Sequence, residues 1–255
     1  MKKQLTPPER LIVAADFSPA NRNSDLVLLN GRQWVRKKVL DLADLLQGTG
    51  VYFKVNSALR ACGDDLIREI HDRGLRVFTD YKLADIGETL KTDGAFLRES
   101  APELLTVFCP TGPTAMQALK KELPDTEVLG VTILTSLTDA EAGQIFKFPT
   151  VMENVLNLAR IASEVGMDGI VCSPKEAAAV RACIRPEMTI NTPAIRMKWT
   201  FVPGDDQNPD RVMTPTTAIQ AGVTRLVLGR PILNHKNPRD AVLMTIDEIA
   251  AAMGQ

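Results

Sequence analysis

Eight short apolar runs rich in β-branched residues recur along the chain, at 11–17, 51–56, 76–83, 104–108, 127–134, 169–173, 189–195 and 225–230. Several are continuously apolar rather than alternating. That pattern suits strands buried on both faces, the condition of a parallel sheet covered by helices. Segments with helical spacing lie between the runs. In 151–165, Val151, Val155, Leu158, Ala162 and Val165 share one face. In 64–73, Leu66, Ile67 and Ile70 face inward while Asp64, Asp65, Arg68 and Asp72 face out. Further helices are expected over 33–47, 87–99, 113–121, 175–183, 215–222 and 238–253. Gly74 and Gly166 stand where a helix should stop.

Eight strands alternating with eight helices in 255 residues match the count and size of an α/β (β/α)8 TIM barrel. A doubly wound open sheet is the alternative. Against it, no G-x-G-x-x-G follows the first run, and no G-x-x-x-x-G-K-[ST] occurs anywhere. No polar linker divides the chain, so residues 1–255 are expected to form a single barrel domain. The longest irregular stretch, 197–213, is expected to be a lid or binding loop.

Composition removes several functions. A formal net charge of −1 argues against nucleic-acid binding by phosphate neutralisation and against a polybasic membrane surface. The N-terminus lacks the apolar core of a signal peptide, and no apolar run approaches the roughly 18 residues of a membrane span, so a soluble cytoplasmic protein is expected. Cys62, Cys109, Cys172 and Cys183 form no C-x-x-C pair and read as reduced, buried thiols. With only His71 and His235, a histidine-rich metal site is impossible and a Ser-His-Asp triad is disfavoured; His71 reads as a solvated helix residue.

In such a barrel the reactive groups project from the C-terminal ends of strands. The polar residues there are Asp16, Lys54, Asp80 and Lys82 with Asp85 following, then Thr135 and Ser136, Arg196, and Gly229-Arg230. Asp80 and Lys82 are two apart, so a regular strand would point both to one face, about 7 Å apart along it. Charged residues inside apolar strands are costly unless they neutralise one another, so Lys54, Asp80 and Lys82 are expected to lie together. Asp85 taken alone also reads as a helix cap.

The segment DYKLADI, Asp80 to Ile86, resembles the D-x-K-x-x-D-I signature of the orotidine 5′-monophosphate decarboxylase family. LIVAADF, VYFKVN, VTILTSL, DGIVCSPKEA, TPAIR, DQNPDRVMTP and RLVLGRPI are similar to its successive strand and loop segments, in order along most of the chain. The resemblance implies a cofactor-independent carboxy-lyase that converts orotidine 5′-monophosphate to UMP in pyrimidine biosynthesis, with no metal. It implies a charged tetrad of Lys54, Asp80, Lys82 and Asp85, with Lys82 as the proton donor and Asp85 reaching into the partner's site. Asp16 and Lys54 would bind the ribose hydroxyls and Ser136 would read the pyrimidine. Arg196 would bind substrate, and Gln207, Gly229 and Arg230 would hold the phosphate. Ile86 and, from the partner subunit, Thr89 would contact the nucleotide. A homodimer with shared sites follows.

Four positions depart from the family pattern: Gly87 for proline, Asn56 and Ala194 for glycine, and a residue near Phe108 for histidine. Ala194 matters most if its backbone needs a positive φ. Two other functions remain open. A metal-dependent sugar-phosphate decarboxylase or aldolase shares D-x-K-x-x-D but carries an acidic metal ligand where Lys54 stands. A non-catalytic nucleotide-binding barrel would have no need of the charged array.

Overall fold

A computed structural model describes residues 4–21, 29–197 and 213–254. Its strands are β1 (Leu11–Ala14), β2 (Tyr52–Val55), β3 (Arg76–Leu83), β4 (Leu104–Phe108), β5 (Glu127–Val131), β6 (Gly169–Val171), β7 (Thr189–Thr192) and β8 (Arg225–Leu228). They pair in parallel and in chain order, and β8 closes on β1. The open-sheet alternative is thereby excluded. Each of the eight runs supplies one strand, but six of them extend past it. Run 189–195, for example, leaves the sheet at Thr192 because Pro193 has no N–H to give to the ladder.

The helices are α1 (Gly31–Leu46), α2 (Ser57–Cys62), α3 (Asp65–His71), α4 (Gly87–Ser100), α5 (Pro113–Glu122), α6 (Asp139–Ile145), α7 (Val151–Glu164), α8 (Ala177–Arg181), α9 (Pro215–Gln220), α10 (Arg230–Leu233) and α11 (Pro238–Met253). The expected inward faces hold: Leu66, Ile67, Ile70 and Val155 are fully buried. The short α2, α6 and α10 are additional. The start of α6 carries a readable signal, since Thr138 and Glu141 form a capping box at its first turn. Asn30 with Gln33 and Thr150 with Glu153 cap α1 and α7 in the same way.

Two apolar layers result. The larger lies between strands and helices. The smaller fills the barrel with Ile12, Ala14, Tyr52, Phe78, Leu104, Leu129 and Val227. Close strand packing requires glycine at 169, where a Cβ would lie 2.7 Å from the Thr189 carbonyl oxygen.

Below this layer, the first residues of four strands close the barrel floor. Arg225, fully buried, donates two hydrogen bonds of 3.0 Å to the Glu127 carboxylate and one of 3.3 Å to Asn191 Oδ1. The guanidinium carbons of Arg225 and Arg76 lie 4.9 Å and 4.3 Å from the Tyr52 ring centroid.

Cys109 and Cys172 are buried, as expected, but Cys62 and Cys183 are only half-buried. His71 is not simply solvated: its Nε2 lies 3.2 Å from Glu103, whose carboxylate also accepts from the Val77 N–H. Among the described residues no helix is long and apolar enough to cross a membrane.

Candidate active site

At the C-terminal end of the barrel, side chains of alternating charge form a chain. Lys54, on β2, donates to both oxygens of Asp16 at 3.1 and 3.0 Å and to Asp80 Oδ2 at 3.3 Å. Lys82 donates to the same Asp80 oxygen at 2.7 Å. The other Asp80 oxygen accepts from the Thr106 hydroxyl at 3.0 Å. The order is therefore Asp16, Lys54, Asp80, Lys82, with both central residues buried.

Burial opposes the charge on Lys54, but the Asp80 and Asp16 carboxylates outweigh it and hold the ammonium above its ordinary pKa. Burial likewise opposes the Asp80 anion, and Lys54 and Lys82 outweigh that to hold its pKa below the usual carboxylate value. The signs set a window. The contribution of Asp80 is complete above the unfolded aspartate pKa of about 3.9 and is lost as pH falls through its depressed value. That of Lys54 is complete below about 10.4 and is lost as pH rises through its raised value. Lys54 and Asp80 thus stay charged across the neutral range.

The contact between Asp80 and Lys82 does not come from a regular strand. β3 and β4 pair at Thr79–Leu105 and again at Leu83–Val107, so three residues of β3 stand opposite the single Thr106. Lys82 takes up this excess with a φ of +49°. Simple alternation therefore fails as the reason for the pairing, while the pairing itself holds. On the outer side, Tyr81 donates its hydroxyl to Asp64, and Arg60 donates to the Tyr81 carbonyl and to Asn56.

The array borders a cleft of about 500 Å³. Asp16, Lys54, Asp80 and Lys82 line one part of its wall, while Arg196, Gly229 and Arg230 line another. Phe78, Val171 and Val227 add an apolar surface. Polar groups converging over an apolar surface suit a charged ligand with a flat ring. A Cβ at Gly229 would meet Ala14 no closer than 3.6 Å, so packing within the chain does not itself demand glycine there.

Other expected residues stand apart in the single chain. Asp85 is exposed and its carboxylate accepts from the Ile86 N–H, while Thr111 bonds its backbone N–H and carbonyl. Ile86 is 71% exposed, and Thr89 lies on the first turn of α4. Ser136 is exposed, whereas its neighbour Thr135 lines the cleft. Gln207 and most of 197–213 lie outside the described residues. Two contributors escaped the sequence reading as site residues, Thr106 and Thr135. Thr135 was legible as a polar residue after a strand; Thr106 carried no signal, because only the bulge turns its hydroxyl toward Asp80.

Ala194, on the cleft wall, has a φ of +62°. An alanine there carries a left-handed penalty of about 1–2 kcal/mol, which a glycine escapes at an unfolded-state cost of about 0.4–1 kcal/mol. Ala194→Gly is therefore expected to raise stability by about 0.5–1 kcal/mol, read as a higher urea midpoint at unchanged slope. A lower midpoint would show the backbone is not strained there.

A sequence profile described as the orotidine 5′-phosphate decarboxylase / HUMPS family matches residues 9–244. An orotidine 5′-phosphate decarboxylase of Methylobacterium sp. (strain 4-46) is 35% identical over 258 aligned positions, spanning 99% of this chain and 100% of that protein. One of Caulobacter vibrioides is 38% identical over 78% of this chain and 86% of its own. The crystal structure of orotidine 5′-phosphate decarboxylase from Lactobacillus acidophilus superposes with a TM-score of 0.75 at 26% identity, covering 94% of this chain and 99% of that one.

Proposed function

The chain belongs to the orotidine 5′-phosphate decarboxylase / HUMPS family, and from that premise we propose that it decarboxylates orotidine 5′-monophosphate to UMP, a step of pyrimidine biosynthesis. One observation carries the reading: an ammonium, Lys82, held 2.7 Å from a buried carboxylate at the edge of a cleft. Loss of CO₂ from C6 of the pyrimidine leaves an anion in the ring plane, with no conjugated system to receive it. Fixed charge must then stabilise it, and a preorganised array does so without reorganising during the reaction. Negative charge moves away from Asp80 and toward Lys82, which then gives its proton to C6. Asp80 stays ionised throughout, because both lysines favour its charged form.

The remaining roles are those the family resemblance implies, and the cleft wall supports them for Asp16, Lys54, Arg196, Gly229 and Arg230. Asp16 and Lys54 bind the ribose hydroxyls, and Ser136, with Thr135, faces the pyrimidine. Arg196 and Arg230 hold the phosphate with Gln207, and Gly229 leaves the backbone open to its oxygens. Phosphate binding far from C6 contributes to the barrier by ordering the site. A phosphorylated nucleotide does not cross membranes, so enzyme and substrate share the cytoplasm.

The metal-dependent sugar-phosphate reading is the alternative. The Lys54 ammonium argues against it, since it sits between Asp16 and Asp80, where a divalent cation would need both carboxylates free. Incubation with orotidine monophosphate and EDTA, followed by ring absorbance, separates the two. Turnover that survives chelation supports the decarboxylase; turnover only with Mg²⁺ and a ketose phosphate overturns it.

A homodimer with shared sites completes the proposal. In its favour, Asp85 is exposed in one chain and bonds to Ile86 and Thr111 rather than to Lys54, Asp80 or Lys82, next to the exposed Ile86. Mixing equal amounts of Lys82→Ala and Asp85→Ala subunits, each inactive alone, is expected to restore about one quarter of wild-type activity. Half of randomly assorted dimers are mixed, and each has one intact site of two. No recovery after verified subunit exchange would show that Asp85 acts within its own chain.

A further inference from the structure

We propose that Thr106 is a positioning residue for the decarboxylation: its hydroxyl locks the Asp80 carboxylate and the Lys82 backbone together across the bulge in β3. The role rests on the function proposed above and extends it to a residue outside the charged array.

The bulge creates the need. Between Thr79–Leu105 and Leu83–Val107, β4 has one residue to offer three. The side chain of that residue takes over where the ladder fails. The Lys82 N–H donates to Thr106 Oγ1 at 2.8 Å, and Thr106 Oγ1 lies 3.0 Å from Asp80 Oδ1. A hydroxyl has one proton. Since Oγ1 accepts from the Lys82 N–H, its proton is free for the carboxylate, which can only accept. Thr106 is fully buried, so no water substitutes.

Three consequences follow. The Lys82 backbone, at a φ of +49°, is held by a bond to the same atom that orients Asp80. The two Asp80 oxygens are divided: Oδ2 receives both ammonium groups, and Oδ1 receives the hydroxyl. The charged groups facing Asp80 are Lys54 from β2 and Lys82 from β3, with Asp16 beyond Lys54. From β4 only the uncharged Thr106 bonds to Asp80 among the described residues.

Valine has the shape of threonine without the hydroxyl, and serine keeps the hydroxyl without the methyl. Thr106→Val is expected to lower kcat about 10²-fold, the usual loss when a reacting group is misplaced by about 1 Å. KM for orotidine monophosphate should change less than about threefold, since no substrate contact is removed. The acidic limb of the kcat–pH profile should move to higher pH, because Asp80 loses a bond that favours its anion. Thr106→Ser, which disturbs packing more but keeps both hydrogen bonds, should recover kcat to within about threefold of wild type. Wild-type kcat and pH profile in Thr106→Val, or a serine variant as slow as the valine one, would overturn the proposal. A crystal structure of unliganded Thr106→Val gives a readout independent of turnover. Separation of the Lys82 ammonium from Asp80 is expected, and an unchanged 2.7 Å contact refutes the role even if orotidine monophosphate proves not to be the substrate.

Discussion

Lys82→Ala is expected to lose about 10²–10⁴-fold or more in kcat on orotidine monophosphate, with little change in folding stability. The two halves have separate causes. The rate falls because Lys82 supplies both the charge that faces the developing anion and the proton that ends it. The fold survives because Asp80 keeps Lys54 at 3.3 Å and Thr106 at 3.0 Å, so no buried charge is left alone. The Lys82 side chain itself is 31% exposed, and its removal opens no sealed cavity. Lys82→Arg should rescue poorly, since a guanidinium keeps the charge but does not release a proton near neutral pH. Steady-state kinetics alongside urea denaturation tests both halves. A near-normal kcat in the alanine variant would remove Lys82 as the proton donor.

The second large effect belongs to the opposite end of the barrel. Arg225→Met is expected to cost about 3–5 kcal/mol of stability, because it leaves the Glu127 carboxylate at the floor without its bidentate partner. The lower end of that range applies here, as the Glu127 side chain is 28% exposed and water recovers part of the loss. Against a typical total of about 5–15 kcal/mol this is a large fraction. Replacing both partners, Arg225→Met with Glu127→Leu, should regain most of it, since a filled apolar floor has no charge to satisfy. Activity per folded molecule should remain near wild type in both, because the floor lies at the opposite end from the cleft. A urea midpoint for Arg225→Met equal to wild type would show that the buried pair contributes nothing.

These two sites were legible to different degrees. D-x-K announced itself because charged residues interrupt an apolar run, and burial of such residues demands mutual neutralisation. The pairing of Lys82 with Asp80 followed, but the reason did not: period-two alternation assumes a regular strand, and the bulge opposite Thr106 breaks it. The floor was not anticipated. Arg225 and Glu127 stand 98 residues apart, each read as the edge of an apolar run, and nothing local links them. The possible strain at Ala194 was visible as a position that glycine would suit, and its φ of +62° bears that out.

The amino-acid order alone thus determined the alternation of eight strands with helices, and through it the barrel, because burial on two faces and on one face leave different periodicities. It also determined which charged residues had to meet. Only the tertiary structure decided how they meet: which β4 side chain completes the broken ladder, which oxygen of Asp80 each donor takes, and which two strand ends share an ion pair across the floor. Those choices depend on register and closure between segments far apart in the chain, and a one-dimensional pattern carries no record of either.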